Sequence, residues 1–262
     1  MLIDIGVNLT NKSFDKDLAE VLSYADEQGV SRMIVTGTDQ QESEKALALT
    51  RQYPQQLFAT AGVHPHDAKS VSDDYLSHLK TLHAHPEVVA VGECGLDFNR
   101  DFSPRPQQET VFAQQIELAG ELGKPLFLHQ RDAHDRFKAL FESHATTNQQ
   151  GVLHCFTGNQ QELEQTLELG LHVGITGWIC DERRGQELRE LVKLIPDDKL
   201  LLETDAPYLT PRNMRPKPKS SRNQPAYLRH VAQEVAELRG TSLEALAALT
   251  RANTEKLFSL YD

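Results

Sequence analysis

Short apolar, β-branched runs alternate with amphipathic stretches along the whole chain. The runs over 2–8, 32–38, 57–63, 88–93, 125–130, 151–155, 172–176 and 199–205 read as strands. Between them lie segments with a period near 3.6, as in Leu18, Val21, Leu22 and Ala25, or Val111, Phe112, Gln115, Ile116 and Ala119, the last set apolar apart from Gln115. Such spacing predicts helices. Gly29, Gly123 and Gly170 stand just before new strands, where left-handed helix C-caps are expected. Two further helices, over 225–240 and 241–260, follow the last strand. Strict alternation of strand and helix leads to a closed parallel barrel or a doubly wound sheet.

The absence of GxGxxG and GxxxxGK[ST] nucleotide loops removes the commonest reason for a doubly wound sheet. A chain of 262 residues also suits one (β/α)8 TIM barrel, a fold that typically takes about 250. We therefore expect an α/β chain forming a single domain over residues 1–262, a TIM barrel with an extra C-terminal helix. No linker, repeat or low-complexity tract divides it.

Composition narrows the setting. With 39% hydrophobic and 25% charged residues the chain reads as globular, and no apolar run reaches the roughly 20 residues that span a bilayer. The opening Met-Leu-Ile-Asp-Ile-Gly lacks a basic segment followed by an apolar one, so it reads as a first strand and not a signal peptide. Cys94, Cys155 and Cys180 are too few and too scattered for a disulfide framework. A cytoplasmic location and no membrane partner are expected. A net charge of −11 argues against coating duplex DNA with a broad basic face. It leaves room for an enzyme that grips one nucleic-acid end. Against that average, 208–224 carries Arg212, Arg215, Lys217, Lys219 and Arg222 with no acid.

The chemistry lies where strands stop. Four expected strands finish on Glu93, His129, His154 and Asp205. An unpaired polar group at the end of a buried strand costs several kcal/mol, so these endings ask for a common purpose. Barrel enzymes gather catalytic groups at the C-terminal ends of their strands. Mixed carboxylate and imidazole ligation suits Mg²⁺, Mn²⁺ or Zn²⁺. A metal so held polarises a phosphoryl or carbonyl oxygen and acidifies bound water, with Asp205 placed to accept the proton. Strand alternation turns Glu93 and His154 inward, sets Glu203 one layer below Asp205, and sends Cys94 and Cys155 outward as packing residues.

Six segments carry a family resemblance: Asp4-Ile-Gly-Val-Asn8, Thr60-Ala-Gly-Val-His-Pro-His66, Val91-Gly-Glu-Cys-Gly-Leu-Asp-Phe98, Leu128-His-Gln-Arg-Asp-Ala-His134, Leu153-His-Cys-Phe-Thr-Gly158 and Glu203-Thr-Asp-Ala-Pro-Tyr208. In order and across the chain, they resemble the TatD-type metal-dependent deoxyribonucleases of the amidohydrolase superfamily. The resemblance implies a monomeric Mg²⁺-dependent 3′-5′ exonuclease acting on single-stranded DNA and RNA, with degradation or repair of damaged nucleic acid as its setting. It implies Glu93, His129 and His154 as metal ligands, Asp205 as catalytic carboxylate, and His64 and His66 facing the scissile phosphate. Most members open with His-x-His on the first strand, where this chain has Gly6 and Asn8. One firmly held ion is therefore expected, and a second only with the substrate.

The basic loop follows the eighth strand, so its cations would lie near an incoming phosphate backbone. Phe98 and Tyr208 could stack on terminal bases. The competing chemistry is hydrolysis of another bond, such as an aminoacyl-tRNA ester or an amide. Glu93 stands where many amidohydrolases carry a carboxylated lysine, which disfavours the amide.

Overall fold

The computed structural model describes residues 1–260. Strands β1 (Leu2–Val7), β2 (Val30–Val35), β3 (Leu57–Ala61), β4 (Val88–Asp97), β5 (Leu126–Arg131), β6 (Gly151–Leu153), β7 (His172–Ile175) and β8 (Leu200–Leu202) lie in one sheet in chain order. Between and after them come α1 (Leu18–Glu27), α2 (Gln40–Gln52), α3 (Tyr75–His83), α4 (Arg105–Leu122), α5 (His134–His144), α6 (Gln160–Glu168), α7 (Gln186–Leu191), α8 (Leu228–Arg239) and α9 (Leu243–Phe258). Parallel strands in sequential order with alternating helices make this a (β/α)8 TIM barrel fold. Helix α9 is the extra C-terminal one.

Contacts group the chain into two compact units. One holds Met1–Val35, Cys155–Glu164 and the chain from His172 onward. Its interior is built from Ile5, Val7, Met33, Leu200, Leu201, Val231, Val235 and Leu246. There Asn253 of α9 donates to the carbonyls of Asp197 and Leu200, joining the last helix to the start of β8. The other unit holds Thr36–His154 and Gln165–Leu171. Phe112 of α4 stacks on Phe137 of α5 at 5.2 Å, and Phe137 on Phe141 at 6.5 Å. Each such buried ring contributes about 2–3 kcal/mol of apolar transfer.

Strand β4, which carries Glu93, is buried at every position. Two glycines let it approach β5 closely. A Cβ on Gly92 (φ 141°) would fall 2.1 Å from the Phe127 carbonyl oxygen, and one on Gly95 (φ 147°) 1.8 Å from that of His129. The expected C-caps at Gly29, Gly123 and Gly170 all have the left-handed conformation.

Strand ends differ from expectation in an informative way. β4 runs past Glu93 to Asp97, whereas β6 and β8 stop at Leu153 and Leu202. The chain leaves the extended region at Cys155 (φ 47°) and Asp205 (φ 54°). Parity counting therefore does not apply to Glu203, Asp205 or Cys155. It fails at Glu93 too: Gly92 pairs with Phe127 and Cys94 with Leu128, so Glu93 occupies a bulge. Cys94 is buried as expected, and Cys155 is half-buried.

Candidate metal centre

Three imidazoles converge on one carboxylate oxygen. Glu93 Oε1 lies 2.8 Å from His154 Nε2, 3.1 Å from His129 Nδ1 and 3.3 Å from His64 Nε2. The bulge in β4 aims the carboxylate, and the Glu93 backbone N–H is satisfied by the Gly37 carbonyl at 2.7 Å. His129 is delivered by β5 and His154 by the residue following β6. Burial opposes ionisation of Glu93, but His154 and His64 outweigh it and hold the carboxyl well below its usual range. A carboxylate buried without such partners would cost several kcal/mol.

His64 follows β3 and opens the 3₁₀ turn Pro65–Ser70, with its Nδ1 accepting the His66 N–H at 3.1 Å. That bond leaves Nε2 as the protonated nitrogen of neutral His64, a donor. Burial pulls its pKa down to about 4, so it is neutral at physiological pH. Gln115 of α4 braces the segment: its side-chain oxygen accepts from Val63 N–H at 2.8 Å and its amide donates to Val63 C=O at 3.0 Å.

Asp97, at the end of β4, gathers the other side of the cluster. Its Oδ2 lies 2.7 Å from His66 Nε2 and 3.6 Å from His129 Nε2, while Oδ1 accepts the N–H groups of Asn99 and Arg100. Burial opposes its charge, yet His129, the Arg100 N–H and His66 hold its carboxyl far below the ordinary range. Gln108, also on α4, clamps the Asp97 backbone through both amide atoms at 2.9 and 3.1 Å. For His129, burial disfavours the cation, but the Asp97 and Glu93 carboxylates prevail and raise its pKa.

The donor set fits a divalent cation. His129 Nε2 is buried without a hydrogen-bond partner, 3.6 Å from the Asp97 carboxylate, and an orphaned nitrogen in that position wants a proton or a cation. Donor atoms of His64, Glu93 and His129 all lie within 4.8 Å of one another. Of these, His64 already uses Nδ1 as an acceptor, so it suits hydrogen-bond donation better than ligation.

The sequence-nominated residues divide between the two units. His64, His66, Glu93, His129 and His154 come together within one of them, His66 touching His64 edge-on at 4.2 Å. Asp205 belongs to the other, where Asn8 donates to its Oδ1 at 3.0 Å and its own N–H reaches the Gly6 carbonyl. Asn8 thus presents its amide N–H to Asp205. Cys180, His230 and Glu234 form a second group of possible ligands. Glu234 is engaged by Arg189 at 2.5 Å and by Asn213 at 2.7 Å, and His230 by Asn213 at 2.7 Å, so this group is satisfied as a polar clasp.

Asp97, Gln108 and Gln115 were not nominated from the sequence. Gln115 had a visible signal, being polar on an otherwise apolar helical stripe. Phe102 was missed as well: it is 54% exposed and meets His66 edge-on at 4.7 Å. Of the aromatics that were nominated, Phe98 lies under the Arg105 guanidinium at 4.4 Å, and Tyr208 is exposed with its hydroxyl accepting from Asn11.

Imidazoles and carboxylates converging beside strand ends belong to the class of metal-assisted hydrolases built on α/β barrels. Within that class the chain belongs to the family of TatD related DNases, whose sequence profile it matches over residues 3–259. It is 54% identical over 259 residues to the 3′-5′ ssDNA/RNA exonuclease TatD of Erwinia tasmaniensis, covering 99% of this chain and all of that one. Among solved structures, a TatD homologue from Escherichia coli K12 superposes with a TM-score of 0.89 at 31% identity, covering 98% of each chain. A TatD family hydrolase from Entamoeba histolytica gives 0.89 at 26% identity, over 99% of this chain and 98% of that one.

Proposed function

We propose that this chain is a Mg²⁺-dependent 3′-5′ exonuclease that hydrolyses phosphodiester bonds at the ends of single-stranded DNA and RNA. The observation that carries this reading is the convergence of three imidazoles on Glu93 in a family of nucleases. Glu93, His129 and His154 are assigned as the residues that hold the ion. When bound, a divalent cation supplies Lewis-acid polarisation of the phosphoryl group and acidifies water.

The remaining work falls to the protein. His64, neutral and with its Nε2–H directed at Glu93 at 3.3 Å, faces the scissile phosphate. His66, turned by Asp97 at 2.7 Å, contacts the same phosphate and shields it from solvent together with Phe102. Asp205 takes the proton of the attacking water, an assignment carried by the family pattern in 203–208. Asn8 holds its carboxylate at 3.0 Å. With Gly6 on β1 and Asn8 just after it, the first strand offers no imidazole, so one ion would be resident and a second would come with substrate.

Residues 1–262 act as a single hydrolase domain, a reading supported by the family match over 3–259. We assign a monomer working on damaged nucleic acid in the cytoplasm. No helix among the described residues is long and apolar enough to cross a membrane.

The test uses single strands labelled at the 5′ end. Mg²⁺-dependent ladders that shorten from the 3′ end, with mononucleotides released, are expected. Glu93→Ala should abolish release while keeping a cooperative unfolding transition. Uniform internal cuts, or cleavage of aminoacyl esters without nucleotide release, would overturn the proposal.

A further inference from the structure

From Ala206 to Gln233 the chain carries Arg212, Arg215, Lys217, Lys219, Arg222 and Arg229 and no acid, in a protein of net charge −11. The structure sorts the loop's cations into two kinds. Arg222 is a brace: it pairs with both Asp17 oxygens at 2.8 and 2.6 Å, donates to the Ser13 carbonyl and lies 5.0 Å over the Phe14 ring. Arg212 faces Asp181 at 3.4 Å. Arg215, Lys217 and Lys219 are exposed and have no carboxylate partner among the described residues. Arg215 turns only onto the carbonyls of Arg212 and Met214.

The segment presenting those three cations is held on both sides. Before it, Asn213 is gripped by His230 and Glu234 of α8, and Glu234 is itself paired with Arg189. After it, Arg222 is fixed to Asp17, and Asn223 donates to the carbonyls of Thr204 and Tyr208. Thr210 reaches across to the Ser221 carbonyl at 2.6 Å and closes the base. Within the tip, Pro216 and Pro218 alternate with the cations and fix φ, so little chain entropy is left to lose on binding. A flexible lysine tail would need none of these ties.

We propose that the braced tip formed by Arg215, Lys217 and Lys219 docks the phosphate backbone of single-stranded nucleic acid, without reading its sequence. The proposal rests on the nuclease reading for the identity of its ligand. Backbone phosphates are a regular polyanion that a row of unpaired cations suits. An acidic protein that must hold such a polymer needs a local reversal of charge, and this loop supplies one.

The experiment compares the full-length protein with the triple variant Arg215→Gln, Lys217→Gln, Lys219→Gln. Anisotropy of a labelled strand of roughly twenty nucleotides, with EDTA present to stop turnover, gives binding as a function of salt. Loss of three phosphate contacts should flatten the slope of log K against log salt by about 2 and weaken binding about tenfold or more at physiological salt. With Mg²⁺ restored, KM for the long strand should rise while kcat stays unchanged.

An unchanged salt slope, or a KM for the long strand equal to that of the unaltered protein, would overturn the docking proposal. So would a variant that loses binding to anionic vesicles while keeping its hold on single strands. A protein that binds strands through this tip yet never cleaves them would leave docking intact and remove the nuclease reading. Cleavage that is indifferent to the triple variant would do the reverse.

Discussion

Asp97→Asn removes one negative charge from beside the candidate metal centre while leaving the local chain anchored. The retained amide oxygen can still accept the Asn99 and Arg100 N–H groups, now 3.0 and 2.8 Å from Oδ1, and the Gln108 clamp involves only backbone. What disappears is the anion 2.7 Å from His66 Nε2 and 3.6 Å from His129 Nε2. A carboxylate beside an imidazole that would ligate raises its basicity and fixes its orientation, and losing it typically weakens metal binding or activity about 10- to 100-fold, or roughly 1.4–2.7 kcal/mol. Calorimetric titration with Mn²⁺ and the Mg²⁺ dependence of nucleotide release should both shift by that factor, with one cooperative melting transition retained. Unchanged ion affinity together with an unchanged Mg²⁺ curve would refute the role given to Asp97.

Two further outcomes follow from packing and burial. Gly95→Ala would force a methyl to within 1.8 Å of the His129 carbonyl at a φ of 147°, so stability should fall by about 2–4 kcal/mol in urea titration and turnover should drop with it. An unaffected variant would show that β4 and β5 are free to separate there. Burial pushes the Asp4 carboxyl up to about 8 from 3.8, against the bonds it accepts from Thr204 and Gly6. Folding therefore takes up a proton across that interval: the associated stability is complete below 3.8 and is lost as pH rises through about 8. Asp4→Asn should flatten this slope, which for one group reaches about 1.4 kcal/mol per pH unit. An Asp4→Asn variant whose slope between pH 5 and 8 matches that of the wild type would contradict the assignment.

Much of this architecture was legible in the sequence because buried parallel strands are nearly continuous apolar runs, and the helices between them kept a period near 3.6. The acid and imidazole candidates stood out for the same reason, although β4 and β5 run past Glu93 and His129 while β6 and β8 stop short of His154 and Asp205. What strand alternation did not carry was direction. Glu93 sits on a bulge, and Cys155 and Asp205 adopt left-handed backbone, so the counting rule loses its footing at the residues that matter most. Asp97 escaped notice because β4 continues past Glu93, a consequence of the close approach that Gly95 permits. Gln108 and Gln115 passed as interruptions in an apolar face. Phe102 had no periodic signal at all, being an exposed aromatic in a loop.

Those two glutamines have a bearing on how the protein should fail. Both reach inward from α4, one holding the chain beside His64 and the other the chain at Asp97. A modest slip of that single outer helix would disturb both flanks of the candidate site together, long before the strands let go of one another. Heat inactivation should then precede unfolding, and the earliest casualty would be the alignment of the imidazoles, with the barrel still standing.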